Sequence, residues 1–275
     1  MAKLHLSPGT KHTLRGLPNL LTICNSLCGF LAIIWMLTAY DLPISLNRGS
    51  DILKVFCFSA AMIFSAMIFD ALDGLAARIL DAASIKGIQM DSLSDMVTFG
   101  VAPATMTAII SDVFTSWNLT SSWQGVVVFL LCAVYIGCAA LRLATYNVHA
   151  MDTQHQGDPN FFSGLPSPGA AAGLCVVVLF AYCHADWDWG ILSVILPIYA
   201  SVLGLLMVSK IPYVHAGRWL FGIRRRRKDF IIFLTLLIVI TITRIDGLAA
   251  IVTGYILSGP VFGAYKFLFK KAENA

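Results

Sequence analysis

Four aspartates, grouped in two pairs, are the residues of this chain whose spacing points to chemistry. Asp70 and Asp73 are three residues apart at the end of an apolar run, and Asp91 and Asp95 are four residues apart at the start of the next one. Because successive residues of an α-helix are about 100° apart, each pair projects from one face of its helix. A hairpin over residues 70–95 therefore can bring all four carboxylates together.

The chemistry open to such a cluster follows from its charge. Four ionised carboxylates repel one another, so they share a small volume only when some are protonated or when cations lie among them. Arg78 and Lys86 can neutralise part of the charge, and hard divalent cations, which prefer oxygen ligands, do so better. A pair of bound metal ions also suits nucleophilic attack on phosphorus. Taken singly, any of the aspartates has an alternative interpretation as a helix cap or an interfacial charge, and Asp81 is expected to be a solvated residue of that kind.

Small residues and one arginine accompany the first pair of aspartates. Gly74 leaves its backbone open to close approach by a ligand, and the short side chains of Ala76 and Ala77 leave the neighbouring helix surface uncrowded. Arg78 follows with a guanidinium whose geometry matches phosphate oxygens. Gly87 stands between the two pairs, where we expect the chain to reverse direction. Together with a bound metal, these residues indicate a substrate that carries a diphosphate.

The elements that must position these residues are membrane-spanning helices. The chain has 275 residues, of which 58% are hydrophobic and 12% charged, and a mean hydropathy of +0.78; soluble domains carry about twice that share of charge. This composition excludes a disordered chain and predicts an all-α, polytopic membrane bundle that forms a single domain over residues 1–275. The seven cysteines lie in apolar stretches and indicate no disulfide framework. Since a span needs about 20 apolar residues, we predict eight: 17–39, 52–72, 91–111, 124–146, 166–184, 189–208, 229–244 and 247–268.

Charge placement orients these spans. With the N-terminus in the cytoplasm, all of the 19 lysines and arginines except Arg48, Lys54 and Arg244 fall in cytoplasmic segments, as the positive-inside rule predicts. Both termini and the aspartate hairpin are therefore expected to face the cytoplasm, from a position in the cytoplasmic membrane. The basic run from Arg224 to Lys228 lies between two predicted spans, and we interpret it as a topology determinant that contacts anionic lipid, not as a nucleic-acid site.

The two aspartate pairs belong to a longer pattern. From Asp70 to Asp95 the chain matches D-x2-D-G-x2-A-R-x8-G-x3-D-x3-D at every fixed position. In this pattern the chain resembles the CDP-alcohol phosphotransferases. The resemblance implies a helical membrane enzyme with a cytoplasm-facing cleft, which displaces CMP from a CDP-linked lipid with an alcohol hydroxyl and uses two Mg²⁺ or Mn²⁺ ions. It also implies a homodimer, although Gly259 and Gly263 of the last span are equally typical of ordinary helix packing.

The resemblance also assigns roles to individual positions. Asp95 corresponds to the general base on the acceptor hydroxyl, and Asp91 and Asp95 form the catalytic pair. The metal ligands correspond to Asp70, Asp73, Asp91 and Asp95. The CDP-binding positions correspond to Asp70, Gly74, Ala77 and Arg78.

Four further stretches bear on the acceptor alcohol. They are SDMVTFGVAPA (94–104), RLATYN (142–147), FFSGLPSPGAAA (161–172) and LMVSKIPY (206–213). As a set they resemble the membrane-integral phosphatidylserine synthases, which implies CDP-diacylglycerol and L-serine as substrates and phosphatidylserine and CMP as products. Thr145 and Tyr146 depart from that pattern, in which a basic residue and a phenylalanine are expected.

Serine presents a carboxylate and an ammonium group beside its hydroxyl. Arg142 or Lys210 suits the carboxylate, although both are also typical of positive-inside anchors. Hydrogen bonds to serine can come from Asn147, Ser163 and Ser167. Other acceptors stay open, namely glycerol 3-phosphate, inositol and choline. So does a function of another class, a cation-coupled membrane transporter with an acidic site.

Overall fold

Helices make up nearly all of the structure, a computed structural model that describes residues 16–42, 49–80, 82, 84–115, 119, 121–151, 161–184, 187–214 and 243–273. The α-helices in these ranges are α1 (Leu17–Leu37), α2 (Gly49–Leu80), α3 (Ile85–Asp95), α4 (Ala102–Thr115), α5 (Trp123–Met151), α6 (Ser167–Cys183), α7 (Trp189–Val208) and α8 (Ile245–Glu273). A 3₁₀ turn (Thr38–Asp41) follows α1, and a π-helical turn (Met96–Val101) joins α3 to α4. Two short strands, β1 (Phe161–Ser163) and β2 (Pro212–Val214), pair antiparallel. The predicted all-α architecture is confirmed, with this small sheet added to it.

The predicted membrane spans can be compared with the helices one by one. Within the described residues, six helical stretches are long and apolar enough to cross a membrane: Leu17–Asp41, Asp51–Leu80, Ile85–Thr115, Trp123–Val148, Trp189–Val208 and Ile245–Gly263. They coincide with six predicted spans, and the polytopic bundle is confirmed. The predicted span 166–184 is the 17-residue helix α6, and the predicted span 229–244 lies outside the described residues.

The two faces of α1 show which medium surrounds the bundle. Thr22 and Asn25 lie on its buried face, whereas Leu20, Leu27 and Phe30 are 56–57% exposed. A helix that encloses its polar side chains and exposes its large apolar ones suits hydrocarbon and not water. Together with the six long apolar stretches, this face pattern identifies an integral membrane protein.

α6 lies at the centre of the bundle. Most of its 17 residues are buried, and it packs against α2, α7 and α8. A helix that is apolar all round is typical of such an enclosed position. It is about 26 Å long by the rise of an α-helix, a little less than the roughly 30 Å of a hydrocarbon core.

The start of α6 is fixed by Gly164 and the small sheet. Ser163 pairs with Pro212 across β1 and β2, and the Gly164 amide then donates to the Ile211 carbonyl at 2.9 Å. Gly164 has a φ of +84°, and a Cβ there would lie 2.1 Å from the carbonyl oxygen of Met207. Only glycine meets both conditions without strain. The segment at Gly164 is therefore a docking point between the loops that precede α6 and follow α7.

The π-helical turn directly follows the last aspartate of α3. Such a turn is wider than an α-helical one and leaves carbonyls without their usual partner. Tyr135 of α5 donates its hydroxyl to the Phe99 carbonyl at 2.8 Å, and Thr98 donates its own to the Asn25 carbonyl at 3.2 Å. The irregular backbone is thus tied to α1 on one side and α5 on the other.

The reversal between α2 and α3 differs from the prediction. The chain was expected to turn at Gly87, but α3 already begins at Ile85. Ser84 caps it by accepting a hydrogen bond from the Gly87 amide at 3.0 Å. The prediction was wrong because a serine N-cap three residues upstream starts the helix, which places Gly87 in its first turn.

Packing within one chain accounts for the glycine at 259 in the last span. A Cβ on Gly259 would lie 2.2 Å from the Tyr213 ring, whose hydroxyl donates to the Ile256 carbonyl at 3.1 Å. Gly259 therefore lets the segment after α7 lie against α8. The homodimer stays a prediction.

Candidate active site

Three of the four predicted carboxylates meet at one point. Oxygens of Asp70, Asp91 and Asp95 all lie within 4.8 Å of one another. Asp70 comes from the last third of α2 and the other two from α3, so the helical hairpin positions them as the spacing predicted. Asp95 is 9% exposed and the other two are half-buried.

The fourth carboxylate is held by α1. Asp73 is 5% exposed, and its Oδ2 accepts a hydrogen bond from the Thr22 hydroxyl at 2.8 Å. Thr22 Oγ also lies 3.0 Å from the Pro18 carbonyl. Asp73 therefore borders the cluster as a hydrogen-bonded carboxylate, outside the group of three.

α1 also holds the innermost aspartate. The Asn25 side-chain amide donates to Asp95 Oδ1 at 3.2 Å, and the Ser94 hydroxyl donates to the Thr22 carbonyl at 3.0 Å. Thr22 and Asn25 are site residues that the sequence analysis missed. A signal was available, because Asn19, Thr22 and Asn25 recur every three residues in a predominantly apolar span, and polar side chains inside a span are functional candidates.

A cleft of about 210 Å³ opens beside the carboxylates, between α1 and the α2–α3 hairpin. Of the predicted CDP-binding residues, Gly74, Ala77 and Arg78 line it. A Cβ placed on Gly74 would meet nothing within 4 Å, so the backbone there faces open space. The remaining lining residues are Pro18, Asn19, Thr22, Asp73, Ala82, Ser84, Gly87, Ile88 and Asp91.

The donor set fits a divalent metal ion. Asp91 Oδ1 is buried and has no hydrogen-bond partner among the described residues, although buried carboxylate oxygens ordinarily have one. Two further carboxylates converge on the same point. Oxygen ligands of this charge are those that hard divalent cations prefer, and a cation would offset the repulsion among them. The cluster of Asp70, Asp91 and Asp95 is therefore suited to hold such an ion.

Among the predicted acceptor residues, Arg142 and Ser167 lie together. An Arg142 terminal nitrogen donates to Ser167 Oγ at 2.8 Å, and the guanidinium is close enough to Asp95 for their charges to interact. The start of α6 thus holds an arginine of α5 within electrostatic range of Asp95.

The other predicted acceptor residues lie elsewhere. Asn147 accepts a hydrogen bond from the Ser92 hydroxyl at 2.8 Å, and both line a second groove, of about 420 Å³, between α3 and α5. The lining of that groove includes neither Arg142 nor an aspartate. Lys210 is exposed after α7. Ser163 belongs to β1, and its side chain lies outside the described part of the chain.

Comparison with known proteins agrees with this geometry. A model of the CDP-alcohol phosphatidyltransferase family matches residues 15–206. The chain is 28% identical to a Helicobacter pylori protein named CDP-diacylglycerol–serine O-phosphatidyltransferase, over 80% of this chain and 86% of that protein. A Bacillus subtilis protein of the same name is 34% identical, over 74% of this chain and 98% of that protein. Another protein of that name, from Methanocaldococcus jannaschii, is 30% identical, over 65% of this chain and 74% of that protein. The family match spans α1 to α7 and includes every aspartate of the site, so the chain belongs to the CDP-alcohol phosphatidyltransferase family.

Proposed function

We propose that this protein transfers the phosphatidyl group of CDP-diacylglycerol to the hydroxyl of L-serine, giving phosphatidylserine and CMP. Family membership makes it a phosphatidyltransferase, and three relatives named for serine support that acceptor. The observation that carries the proposal is the convergence of Asp70, Asp91 and Asp95 beside a cleft whose backbone is open at Gly74. The charge distribution supports a site that faces the cytoplasm from the cytoplasmic membrane.

The nucleotide end of the donor fits the cleft between α1 and α2. The open backbone at Gly74 and the small side chain of Ala77 leave room for the cytidine diphosphate, and Arg78 at the exposed end offers its guanidinium to phosphate oxygens. Asp70 completes this set from the carboxylate cluster. Held by Asp70, Asp73, Asp91 and Asp95, two Mg²⁺ or Mn²⁺ ions would supply Lewis-acid stabilisation of the diphosphate charge.

In the chemical step, Asp95 accepts the proton of the serine hydroxyl. The serine hydroxyl oxygen attacks the β-phosphorus, which carries the diacylglycerol oxygen, while Asp95 takes the hydroxyl proton. A new oxygen–phosphorus bond forms, and the bond from that phosphorus to the bridging oxygen breaks and releases CMP. Asn25 keeps the base in place through its 3.2 Å hydrogen bond. The proposal has direct transfer, because among the described residues the converging group consists of carboxylates alone, with no histidine or cysteine in it.

Arg142 suits the carboxylate of serine. Its charge interacts with that of Asp95, Ser167 orients its guanidinium, and a guanidinium matches the geometry of a carboxylate. A carboxylate bound there keeps the serine hydroxyl on the side of the base. This assignment favours Arg142 over the exposed Lys210.

The test is an acceptor panel with purified protein in detergent. CMP release is measured with CDP-diacylglycerol, manganese and each of serine, glycerol 3-phosphate, inositol and choline, and labelled serine is followed into lipid. We expect phosphatidylserine from serine, and its loss in Asp91→Ala and Asp95→Ala. Asp51→Asn, at the far end of α2 and paired with Lys54 at 2.9 Å, serves as the control and keeps its activity. Release of CMP with another alcohol and none with serine would overturn the choice of acceptor.

A further inference from the structure

The side-chain amide of Asn25 has a hydrogen-bonded nitrogen and an oxygen without a hydrogen-bond partner among the described residues. It is 0% exposed, and its amide nitrogen donates to Asp95 Oδ1 at 3.2 Å. Its carbonyl oxygen Oδ1 is buried with no hydrogen-bond partner among the described residues. Buried acceptors of this kind are ordinarily paired, so a missing donor is expected at this point.

The position of the unpaired oxygen follows from covalent geometry. The oxygen and nitrogen of one amide are about 2.2 Å apart, and that nitrogen is 3.2 Å from Asp95 Oδ1. The unpaired oxygen therefore lies no further than about 5.4 Å from the aspartate oxygen, by the sum of these two distances. Two acceptors thus stand close together in the buried contact between α1 and α3, one an amide oxygen and the other a carboxylate.

We infer that the Asn25 carbonyl receives the ammonium group of the acceptor, so that Asn25 selects an amino alcohol and also positions Asp95. In serine the amino nitrogen and the hydroxyl oxygen sit on adjacent carbons, about 3 to 4 Å apart. One molecule can therefore give its hydroxyl proton to Asp95 and an N–H hydrogen bond to Asn25. This inference rests on the proposed function and adds a residue from α1 that recognises the acceptor.

The charges around Asn25 favour an ammonium over a neutral donor. Asp95, which Asn25 binds, is one of three carboxylates whose oxygens lie within 4.8 Å of one another, and a hydrogen bond from a cation is stronger than one from a hydroxyl. Arg142, whose charge interacts with that of Asp95, takes the serine carboxylate. Choline lacks an N–H and cannot satisfy the amide, and inositol offers only neutral hydroxyls.

The test compares serine with 3-hydroxypropanoate, which keeps the hydroxyl and the carboxylate of serine but has hydrogen in place of the ammonium. We expect the wild-type protein to prefer serine. Asn25→Leu removes both hydrogen bonds, so kcat falls for both acceptors, while KM rises about 10- to 100-fold for serine alone. Asn25→Asp keeps an acceptor oxygen and loses the donor to Asp95, so kcat falls while the preference for serine stays.

A control and a folding check complete the design. Ser59→Ala removes a buried 3.2 Å contact between α2 and the Ala32 carbonyl of α1, away from the aspartates, and leaves the preference unchanged. A rise in unfolding temperature on adding CDP shows that a variant is folded, and Asn25→Ala replaces Asn25→Leu if the larger side chain disrupts the bundle. Should the wild-type protein convert both acceptors equally, or should the KM ratio be the same in Asn25→Leu, the inference is overturned and the proposed function stands. A wild-type protein that makes no phosphatidylserine overturns the proposed function itself.

Discussion

Substituting Gly74 by alanine separates stability from substrate binding at the cleft. Gly74 lies inside α2, where glycine is about 0.5–1 kcal/mol less favourable than alanine. The added Cβ would meet nothing within 4 Å, so no clash offsets this gain. We therefore expect Gly74→Ala to raise the free energy of unfolding by about 0.5–1 kcal/mol.

The same methyl group is expected to weaken donor binding. It projects into the cleft of about 210 Å³ where the cytidine diphosphate is proposed to lie. Adding a methyl to a filled site costs about 1–3 kcal/mol, which corresponds to about 5- to 150-fold weaker binding. A gain in stability and a loss in affinity from one methyl group is a combination that misfolding cannot produce.

The assay measures the unfolding temperature in detergent and the dissociation constant of CDP for each variant. Gly137→Ala is the matched control, because Gly137 lies inside α5, also has nothing within 4 Å of its Cβ and does not line the cleft. We expect it to gain similar stability and keep its CDP affinity. Wild-type affinity in Gly74→Ala would refute the placement of the nucleotide beside this helix.

Three further changes test other parts of the structure. Thr22→Val keeps the shape of the side chain but removes the 2.8 Å hydrogen bond to Asp73. Because loss of a hydrogen bond to a charged group costs about 1.5–3 kcal/mol, kcat/KM should fall about 10- to 100-fold. An unchanged kcat/KM would contradict a functional role for α1. Asp91→Asn removes the negative charge of the carboxylate whose Oδ1 has no hydrogen-bond partner among the described residues. Calorimetric titration with Mn²⁺ should therefore show weaker binding, whereas equal binding would place the ion elsewhere. Gly164→Ala introduces a Cβ 2.1 Å from the Met207 carbonyl oxygen at a φ of +84°. Thermal unfolding should show that the free energy of unfolding falls by about 1–3 kcal/mol or more. Retained stability would mean that the loop relaxes to accommodate the methyl group.

The aspartate hairpin was predictable because its spacing matches the helical period. Asp70, Asp91 and Asp95 meet as expected, and so the centre of the site follows from local geometry. The contribution of α1 did not follow from that pattern, since Thr22 and Asn25 are 51 and 70 residues from the aspartates that they bind. Only the packing of α1 against the hairpin brings them together, and no local rule fixes which face of a span meets which neighbour.

The fourth-span motif shows how a helical period can also correct a prediction. Arg142 and Asn147 were both assigned to the acceptor, but they are five residues apart and therefore about 140° apart around α5. The charge of Arg142 interacts with that of Asp95, whereas Asn147 contacts Ser92 in the second groove. Two residues at the end of one span therefore need not share a face, and that argument was available from the sequence.

The helices that carry the aspartates also bear on the transporter alternative. A cation that crosses the membrane from this site needs polar groups at intervals toward the far side. Along α2 the buried residues between Asp70 and the far end are apolar except Ser59, whose hydroxyl lies against the Val55 and Ala32 carbonyls. Along the second half of α1, the buried residues after Gly29 are Ala32 and Met36. Along α4, which continues from α3, the buried polar residues are Thr107 and Ser111, whose hydroxyls donate to the Pro103 and Ser193 carbonyls. In these described helices the buried carboxylates are confined to one end and the buried hydroxyls beyond them are bonded to backbone, as a reaction at the membrane surface requires and a path through the bilayer does not.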